Sequence, residues 1–168
     1  MKKDAIRDYA TEAFRFYAAL GRPKYEDIKK RVYDYAMAEE RRTEVKTGGL
    51  SLPTEYQLRN AENALEELEA ELMDIFAVER TLEILSTHKN GQDIKDALEI
   101  VYFSEPARPL RRNEITNRVH FAEFAIHTTE PTVYRYLRIA REIFARERKL
   151  RSCHFDSSRF KLSDIMLS

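Results

Sequence analysis

The sequence predicts an all-α protein in which a long N-terminal helical hairpin, similar to a coiled coil, precedes a three-helix helix-turn-helix module. Three observations support this fold class. Apolar residues recur at helical spacing along most of the 168 residues, no segment alternates convincingly as a strand, and the chain has only four glycines and five prolines. We therefore expect few turns and long helices.

The first part of the chain contains two predicted helices. Asp4 is expected to cap the first, which runs to about Leu20. The second runs from about Tyr25 to Arg42 and leads into a turn that contains Gly48-Gly49. Each helix has one apolar stripe, formed by Ile6, Ala10, Ala13, Tyr17 and Leu20 in the first and by Tyr25, Ile28, Val32 and Tyr35 in the second.

The longest predicted helix begins after the cap Thr54 and reaches about Thr87. Its apolar residues repeat every seven positions, as in the seam of a coiled coil, and Glu79 interrupts the repeat. At 1.5 Å per residue this helix would be about 50 Å long. We expect the second helix to fold back on it as an antiparallel hairpin, with pairing of two copies as a homodimer as the alternative. The seam consists of Leu58, Leu65, Leu68, Leu72, Ile75 and Leu82, with Ala61 in the same register.

Three further helices are predicted in the rest of the chain, the first of them from Asp93 to Phe103. Asn113 is expected to cap the second. Thr129 is expected to cap the third through a hydroxyl that accepts a backbone N–H, and Pro131 suits the first turn of that helix. Residues 121–127 leave two alternatives, which are a middle helix about four turns long or an inserted loop before the turn.

The last predicted helix, which runs to about Arg148, has two contrasting faces. Its inward stripe has apolar residues at spacings of four, three and four, and its opposite face carries arginines. A helix that is anchored on one side and basic on the other suits docking into a DNA major groove. The stripe is Val133, Leu137, Ala140 and Phe144, and the opposite face has Arg135, Arg138 and Glu142 with Arg141 beside them.

Formal charge is divided unevenly along a chain whose net charge is zero. Residues 1–106 hold 16 basic and 22 acidic side chains, a net of −6, whereas residues 107–151 hold 11 basic and 5 acidic ones, a net of +6. This asymmetry indicates a part that faces nucleic acid joined to an acidic part. The expected organisation is an acidic helical hairpin or assembly region at residues 1–91, a helix-turn-helix DNA-binding domain at residues 92–151 and a tail at residues 152–168.

Several other classes of protein and site are not predicted. The sequence has no apolar run long enough for a transmembrane helix and starts in an amphipathic helix rather than an apolar signal core, so we expect a cytoplasmic protein that does not bind membranes. It has no glycine-rich phosphate loop and no metal-spaced pair of Cys and His, and a zinc site built from His120, His127 and Cys153-His154 is not predicted. We expect no enzymatic activity, no cofactor and no metal.

Residues 93–151 resemble the DNA-binding fourth region of sigma factors of bacterial RNA polymerase. The matching parts are Arg112-Asn113-Glu114-Ile115, the segment Thr129-Glu130-Pro131-Thr132-Val133, and the run from Tyr134 to Arg141. An acidic helical half before such a module also resembles phage-encoded, sigma-like late-gene regulators of the ArpU type. Nothing in the chain matches the sigma region that melts promoter DNA, so the resemblance implies a transcription regulator rather than a complete sigma factor.

The resemblance implies a set of DNA contacts. The arginines of the last helix would read bases, because a guanidinium can donate two hydrogen bonds to guanine O6 and N7. Arg111, Arg112 and Asn113, which precede the middle helix, would contact phosphates, and so would Arg141. The alternative for each arginine is a solvated charge or an ion pair, such as Arg138 with Glu142. The implied set is Arg111, Arg112, Asn113, Glu130, Thr132, Tyr134, Arg135, Arg138 and Arg141.

Three functions are compatible with these features. The first is a sequence-specific DNA-binding transcription regulator of the sigma-like, phage-associated kind, which has double-stranded DNA as its partner and acts as a homodimer or on RNA polymerase. The second is a phage DNA-packaging protein such as a small terminase subunit, because such proteins also combine a helix-turn-helix with helical assembly segments. The third is a helical adaptor that binds only protein, through the seam of residues 58–82.

Overall fold

The computed structural model describes residues 4–44 and 55–150, and all regular structure in these residues is helical. This confirms the all-α fold class. The expected cap Thr54, the turn at Gly48-Gly49, the pair Cys153-His154 and the tail of residues 152–168 lie outside the described residues. The helices are α1 (Ala5–Ala19), α2 (Tyr25–Glu44), α3 (Glu55–Glu67), α4 (Glu69–Thr87), α5 (Gly91–Val101), α6 (Glu114–Ile126) and α7 (Glu130–Arg148).

Helix α1 begins as the sequence predicts and contributes one face to the core. The side chain of Asp4 accepts the backbone N–H of Arg7 at 3.0 Å, so the predicted cap is confirmed. Leu20 was expected in the buried stripe, but it lies after the last residue of the helix and 43% of it is exposed. Arg15, in contrast, is one of the buried residues of α1 although its side chain is charged.

The hydrophobic core is shared by α1, α4, α5, α6 and α7. Phe14 of α1 stacks on Tyr102 at a ring-centroid separation of 5.8 Å and also contacts Phe144 of α7 at 5.5 Å. Ile75 of α4 and Leu98 of α5 are buried in the same cluster. The core therefore continues across residue 91, where the sequence suggested a division, and α7, which carries most of the predicted DNA-binding residues, packs directly on α1 and α4.

The predicted single helix from Thr54 to Thr87 is wrong in one respect, because it is divided at Leu68. That residue has φ −98° and ψ 8°, so α3 ends at Glu67 and α4 starts at Glu69. Six seam positions consequently have different environments. Leu72 and Ile75 are buried, Leu65 and Leu82 are half-buried, and Leu58 and Leu68 are exposed.

Helix α2 packs along α3 and also contacts α4. Glu79, which interrupts the predicted seam, accepts the backbone N–H of Tyr25 at 2.7 Å. The ring of Tyr25 meets Phe76 edge to face, with centroids 5.1 Å apart. Because Tyr25 is the first residue of α2, the carboxylate of Glu79 satisfies one of the backbone donors that a helix leaves free at its start.

Membrane insertion would require a helix with a long apolar stretch. Within residues 4–44 and 55–150, none of the helices combines sufficient length with sufficient apolar character to cross a bilayer.

Candidate nucleic-acid interface

Helices α6 and α7 are joined by residues 127–129 only. Helix α6 extends from Glu114 to Ile126, so the structure contains the long middle helix and not the inserted loop. His127 takes the left-handed conformation, with φ 56° and ψ 51°, and the backbone N–H groups of His127 and Thr128 both donate to the carbonyl of Glu123. His127 thereby occupies the position at which glycine commonly ends a helix.

Helix α7 begins at Glu130, immediately after Thr129. Pro131 lies in its first turn, as predicted. The predicted role of the Thr129 hydroxyl is wrong, because that hydroxyl makes no hydrogen bond to the backbone of the first turn. It contacts the hydroxyl of Thr132 at 2.9 Å instead. The backbone carbonyl of Thr129 accepts the N–H of Val133 at 3.0 Å, so α7 begins after Thr129 without a side-chain cap.

The inward face of α7 is held by the core along its length. The predicted stripe of Val133, Leu137, Ala140 and Phe144 is fully buried, which confirms the periodicity. Tyr136 and Ile143 are buried beside it. The orientation of α7 about its own axis is therefore set by packing, and its other side is left to solvent.

The outward face of α7 forms an open depression, here called the α7 concavity. It contains five of the nine residues that the sequence suggested for DNA contact, together with Pro131. Tyr134, Arg135 and Arg138 are exposed, whereas Thr132 and Arg141 are half-buried. The lining residues are Pro131, Thr132, Tyr134, Arg135, Arg138 and Arg141.

The three arginines of the concavity have different partners. Arg138 lies 3.8 Å from Glu142, and both side chains are more than 60% exposed. The guanidinium of Arg135 lies 5.8 Å from the centroid of the Tyr136 ring. Arg141 donates to the Tyr102 hydroxyl at 2.7 Å, so part of its hydrogen-bonding capacity is already used inside the protein.

The remaining predicted contact residues lie outside the concavity. Arg111, Arg112 and Asn113 are exposed before α6. Asn113 has a left-handed backbone with φ 65° and makes no side-chain cap, so the predicted capping role is wrong. The carboxylate of Glu114 accepts the backbone N–H of Arg111 at 2.7 Å and organises this turn instead. Glu130 is half-buried at the start of α7.

Sequence reasoning missed Arg15, which fixes the connection between α5 and α6. Its guanidinium donates to the backbone carbonyls of Tyr102, Ser104, Glu105 and Arg108. Burial, followed by the nearby charge of Arg118, lowers the pKa of Arg15 from its ordinary value. Nothing in the local sequence of α1 shows that these carbonyls lie opposite it, because the contact spans 87 or more residues.

A second network holds the start of α6. Arg108 forms ion pairs with Glu105 and Glu114, and Arg118 pairs with Glu114 at 3.0 Å. Hydrogen bonding from Arg108, with the Arg111 backbone N–H next in importance, lowers the pKa of Glu114 to about 2. Arg118 also donates to the carbonyls of Val101 and Ser104, at 2.9 and 2.8 Å. The connection before α6 is therefore held by Arg15 of α1 and by Arg118 of α6.

Comparison of the chain with protein-family models, with curated proteins and with solved structures produced no match.

Proposed function

We propose that this protein is a sequence-specific DNA-binding transcription regulator whose helix α7 enters the major groove. The observation that carries the proposal is the α7 concavity, in which Arg135 and Arg138 project from a helix whose opposite side is buried along its length. A recognition helix needs this combination, because base contacts require side chains held in a fixed register against the groove.

The ion pair between Arg138 and Glu142 does not prevent this role. Both side chains are largely exposed and their closest atoms are 3.8 Å apart, so the pair contributes little free energy. A guanine offers O6 and N7 to the same guanidinium in a bidentate arrangement. Exchange of Glu142 for a base therefore costs little free energy.

Contacts with phosphates would come from the segment before α6. Arg111 and Arg112 are exposed there, and the network around Glu114 orders the backbone next to them. Their charges are part of the net of +6 of residues 107–151. Such contacts position a protein on DNA and make its affinity fall with salt, but they carry no sequence information.

The regulatory part of the proposal is supported by the resemblance to sigma factors of the segments 112–115 and 129–141. A sigma-like regulator acts on promoter-proximal DNA in the cytoplasm and has RNA polymerase as a further partner, and its phage association follows from the resemblance to ArpU-type regulators. Retention of purified bacterial RNA polymerase by the immobilised protein would support this part. DNA binding without such retention would reduce the proposal to a DNA-binding protein.

Selection of bound duplexes from random DNA, repeated at two salt concentrations, tests the proposal. We expect enrichment of one motif by the wild-type protein and loss of conserved guanines from it with Arg135→Ala or Arg138→Ala, each at a cost of about 1–3 kcal/mol. Arg80→Ala is the matched control, because Arg80 is an exposed arginine of α4 that pairs with Glu83. An unenriched pool, or a motif unchanged by both α7 variants, would contradict the assignment.

Assembly is a second candidate function, favoured by the exposure of Tyr56 and Leu58 on α3 and of Leu68 after it. Exposed apolar side chains become buried when a protein assembles through the surface that carries them. Light scattering gives the mass of the assembly, and a DNA-binding assay at low salt shows whether that assembly retains DNA. Ring-sized assemblies that bind DNA would favour a small-terminase-like packaging protein, whereas protein that fails to bind DNA at low salt would favour an adaptor.

A further inference from the structure

Three potential metal ligands meet where α6 and α7 are joined. His120 and Glu123 lie one turn apart on α6, and Glu130 is the first residue of α7. Nδ1 of His120 lies 3.5 Å from a carboxylate oxygen of Glu123 and 3.9 Å from one of Glu130. One ligand atom from each of the three residues lies within 4.8 Å of the other two.

Lysine and arginine side chains do not account for this grouping. In the part of the chain that the structure describes, neither Glu123 nor Glu130 forms an ion pair with Lys or Arg, although the same region is rich in arginine. Two carboxylates close together repel each other unless a positive charge lies between them. The imidazole of His120 is the group that both of them approach.

We propose that His120, Glu123 and Glu130 bind a divalent transition-metal ion of the Zn²⁺ type. One imidazole nitrogen and two carboxylate oxygens form a mixed donor set that Zn²⁺ accepts, at distances of about 2.0–2.2 Å. Such distances bring tetrahedral ligand atoms to about 3.4 Å from one another. The two separations from His120, 3.5 and 3.9 Å, are already close to this value, and side chains that are partly exposed can rotate to bring the two carboxylates together. The fourth position is left for water.

The donor set also predicts selectivity. Mg²⁺ and Ca²⁺ prefer shells of six or more oxygen ligands, and an imidazole nitrogen is a poor substitute for oxygen in such shells. The site should therefore bind Zn²⁺ in preference to either. Because the ligands come from both helices, the bound ion would join α6 to α7 across residues 127–129 and stabilise the folded chain.

The test uses the untagged full-length chain carrying Cys153→Ser and His154→Ala, so that these two residues contribute no ligand. Zn²⁺ binding is measured by equilibrium dialysis against ZnCl₂, with MgCl₂ as the comparison, and the thermal unfolding midpoint is measured with and without Zn²⁺. We expect one Zn²⁺ per chain, a higher midpoint with Zn²⁺ and no such effect of Mg²⁺.

Three variants identify the ligands. His120→Ala, Glu123→Gln and Glu130→Gln should each weaken Zn²⁺ binding at least about tenfold and abolish the rise of the unfolding midpoint. His88→Ala and Glu142→Gln are the controls, because they remove one exposed histidine and one exposed glutamate elsewhere, and they should retain wild-type binding. Circular dichroism without metal shows whether each variant is folded.

Two results would overturn the proposal. One is Zn²⁺ binding by His120→Ala or Glu130→Gln that matches the starting protein, and the other is the absence of saturable binding by the folded starting protein. Every measurement is made without DNA. A negative result for Zn²⁺ binding therefore does not contradict the proposed DNA binding by α7. A negative result for DNA binding likewise does not contradict the proposed metal site.

Discussion

The guanidinium of Arg15 donates a hydrogen bond of 3.1 Å to the backbone carbonyl of Tyr102, 87 residues further along the chain. The hydroxyl of the same tyrosine accepts a hydrogen bond from Arg141 of α7. Tyr102 therefore links α1 to the α7 concavity through its backbone on one side and its ring on the other. The geometry of the proposed DNA-binding face consequently depends on a helix from the acidic half of the chain.

Replacement of Arg15 should destabilise the fold. Arg15→Ala removes a buried guanidinium and leaves carbonyls of the α5–α6 connection without a partner, which should lower the free energy of unfolding by about 2–4 kcal/mol in urea titrations. Arg7→Ala is the control on the same helix, since Arg7 is exposed and its ion pair with Asp8 is 3.5 Å long. Equal stabilities of the two variants would show that the Arg15 contacts contribute nothing.

Removal of Glu142 should strengthen DNA binding. Glu142→Gln deletes the carboxylate that competes with a base for Arg138 and removes one negative charge beside the concavity, so affinity for the selected site should rise by about 0.5–1 kcal/mol. Fluorescence anisotropy at fixed salt measures the change. Glu83→Gln makes the same charge change next to Arg80 of α4 and should leave affinity unaltered. Weaker binding by Glu142→Gln would indicate that Glu142 itself contacts DNA.

Stability should fall in acid partly because of Glu114. Its pKa is lowered from 4.5 to about 2 in the folded protein, so between these values the unfolded chain binds more protons than the folded chain. The contribution of this carboxylate is thus complete above about pH 4.5 and is lost as the pH falls towards 2. Urea titrations of Glu114→Gln should show a shallower pH dependence across this window. A Glu62→Gln control should keep the wild-type slope.

Glu79 provides a test of the interrupted seam. If its contact with the Tyr25 backbone N–H stabilises the start of α2, Glu79→Leu should lower the free energy of unfolding by about 1 kcal/mol even though it completes the heptad repeat. Glu79→Gln retains an oxygen acceptor and should be close to wild type. A more stable leucine variant would mean that hydrophobic packing outweighs the lost hydrogen bond.

The connection between α6 and α7 should gain stability from glycine. His127 has a positive φ of 56°, a conformation that costs glycine little, so His127→Gly should raise the thermal unfolding midpoint by an amount equivalent to about 0.5–1 kcal/mol. Ala125→Gly, at an exposed position in the last turn of α6, should instead lower the unfolding midpoint, because glycine is a poorer helix former than alanine. Equal losses in both variants would contradict a role for the left-handed turn.

Several elements could be predicted because their causes are local. The cap at Asp4 depends on residues three positions apart, and the buried stripe of α7 follows from helical periodicity. The break at Leu68 was missed because the heptad repeat passes through it without interruption, and no glycine or proline marks it. The partner of the Thr129 hydroxyl could not be predicted, because the sequence does not show that this hydroxyl meets the hydroxyl of Thr132 rather than a backbone N–H.

By itself, the sequence determined that the chain is helical and which side of α7 is apolar, since both follow from residue spacing along one helix. Only the tertiary structure decided which groups meet from distant parts of the chain. Arg15 reaches the carbonyls before α6, Glu79 reaches the start of α2, and His120 approaches Glu130 across the turn. These contacts depend on how the helices pack, and packing is set by the complementarity of whole faces rather than by neighbours in sequence.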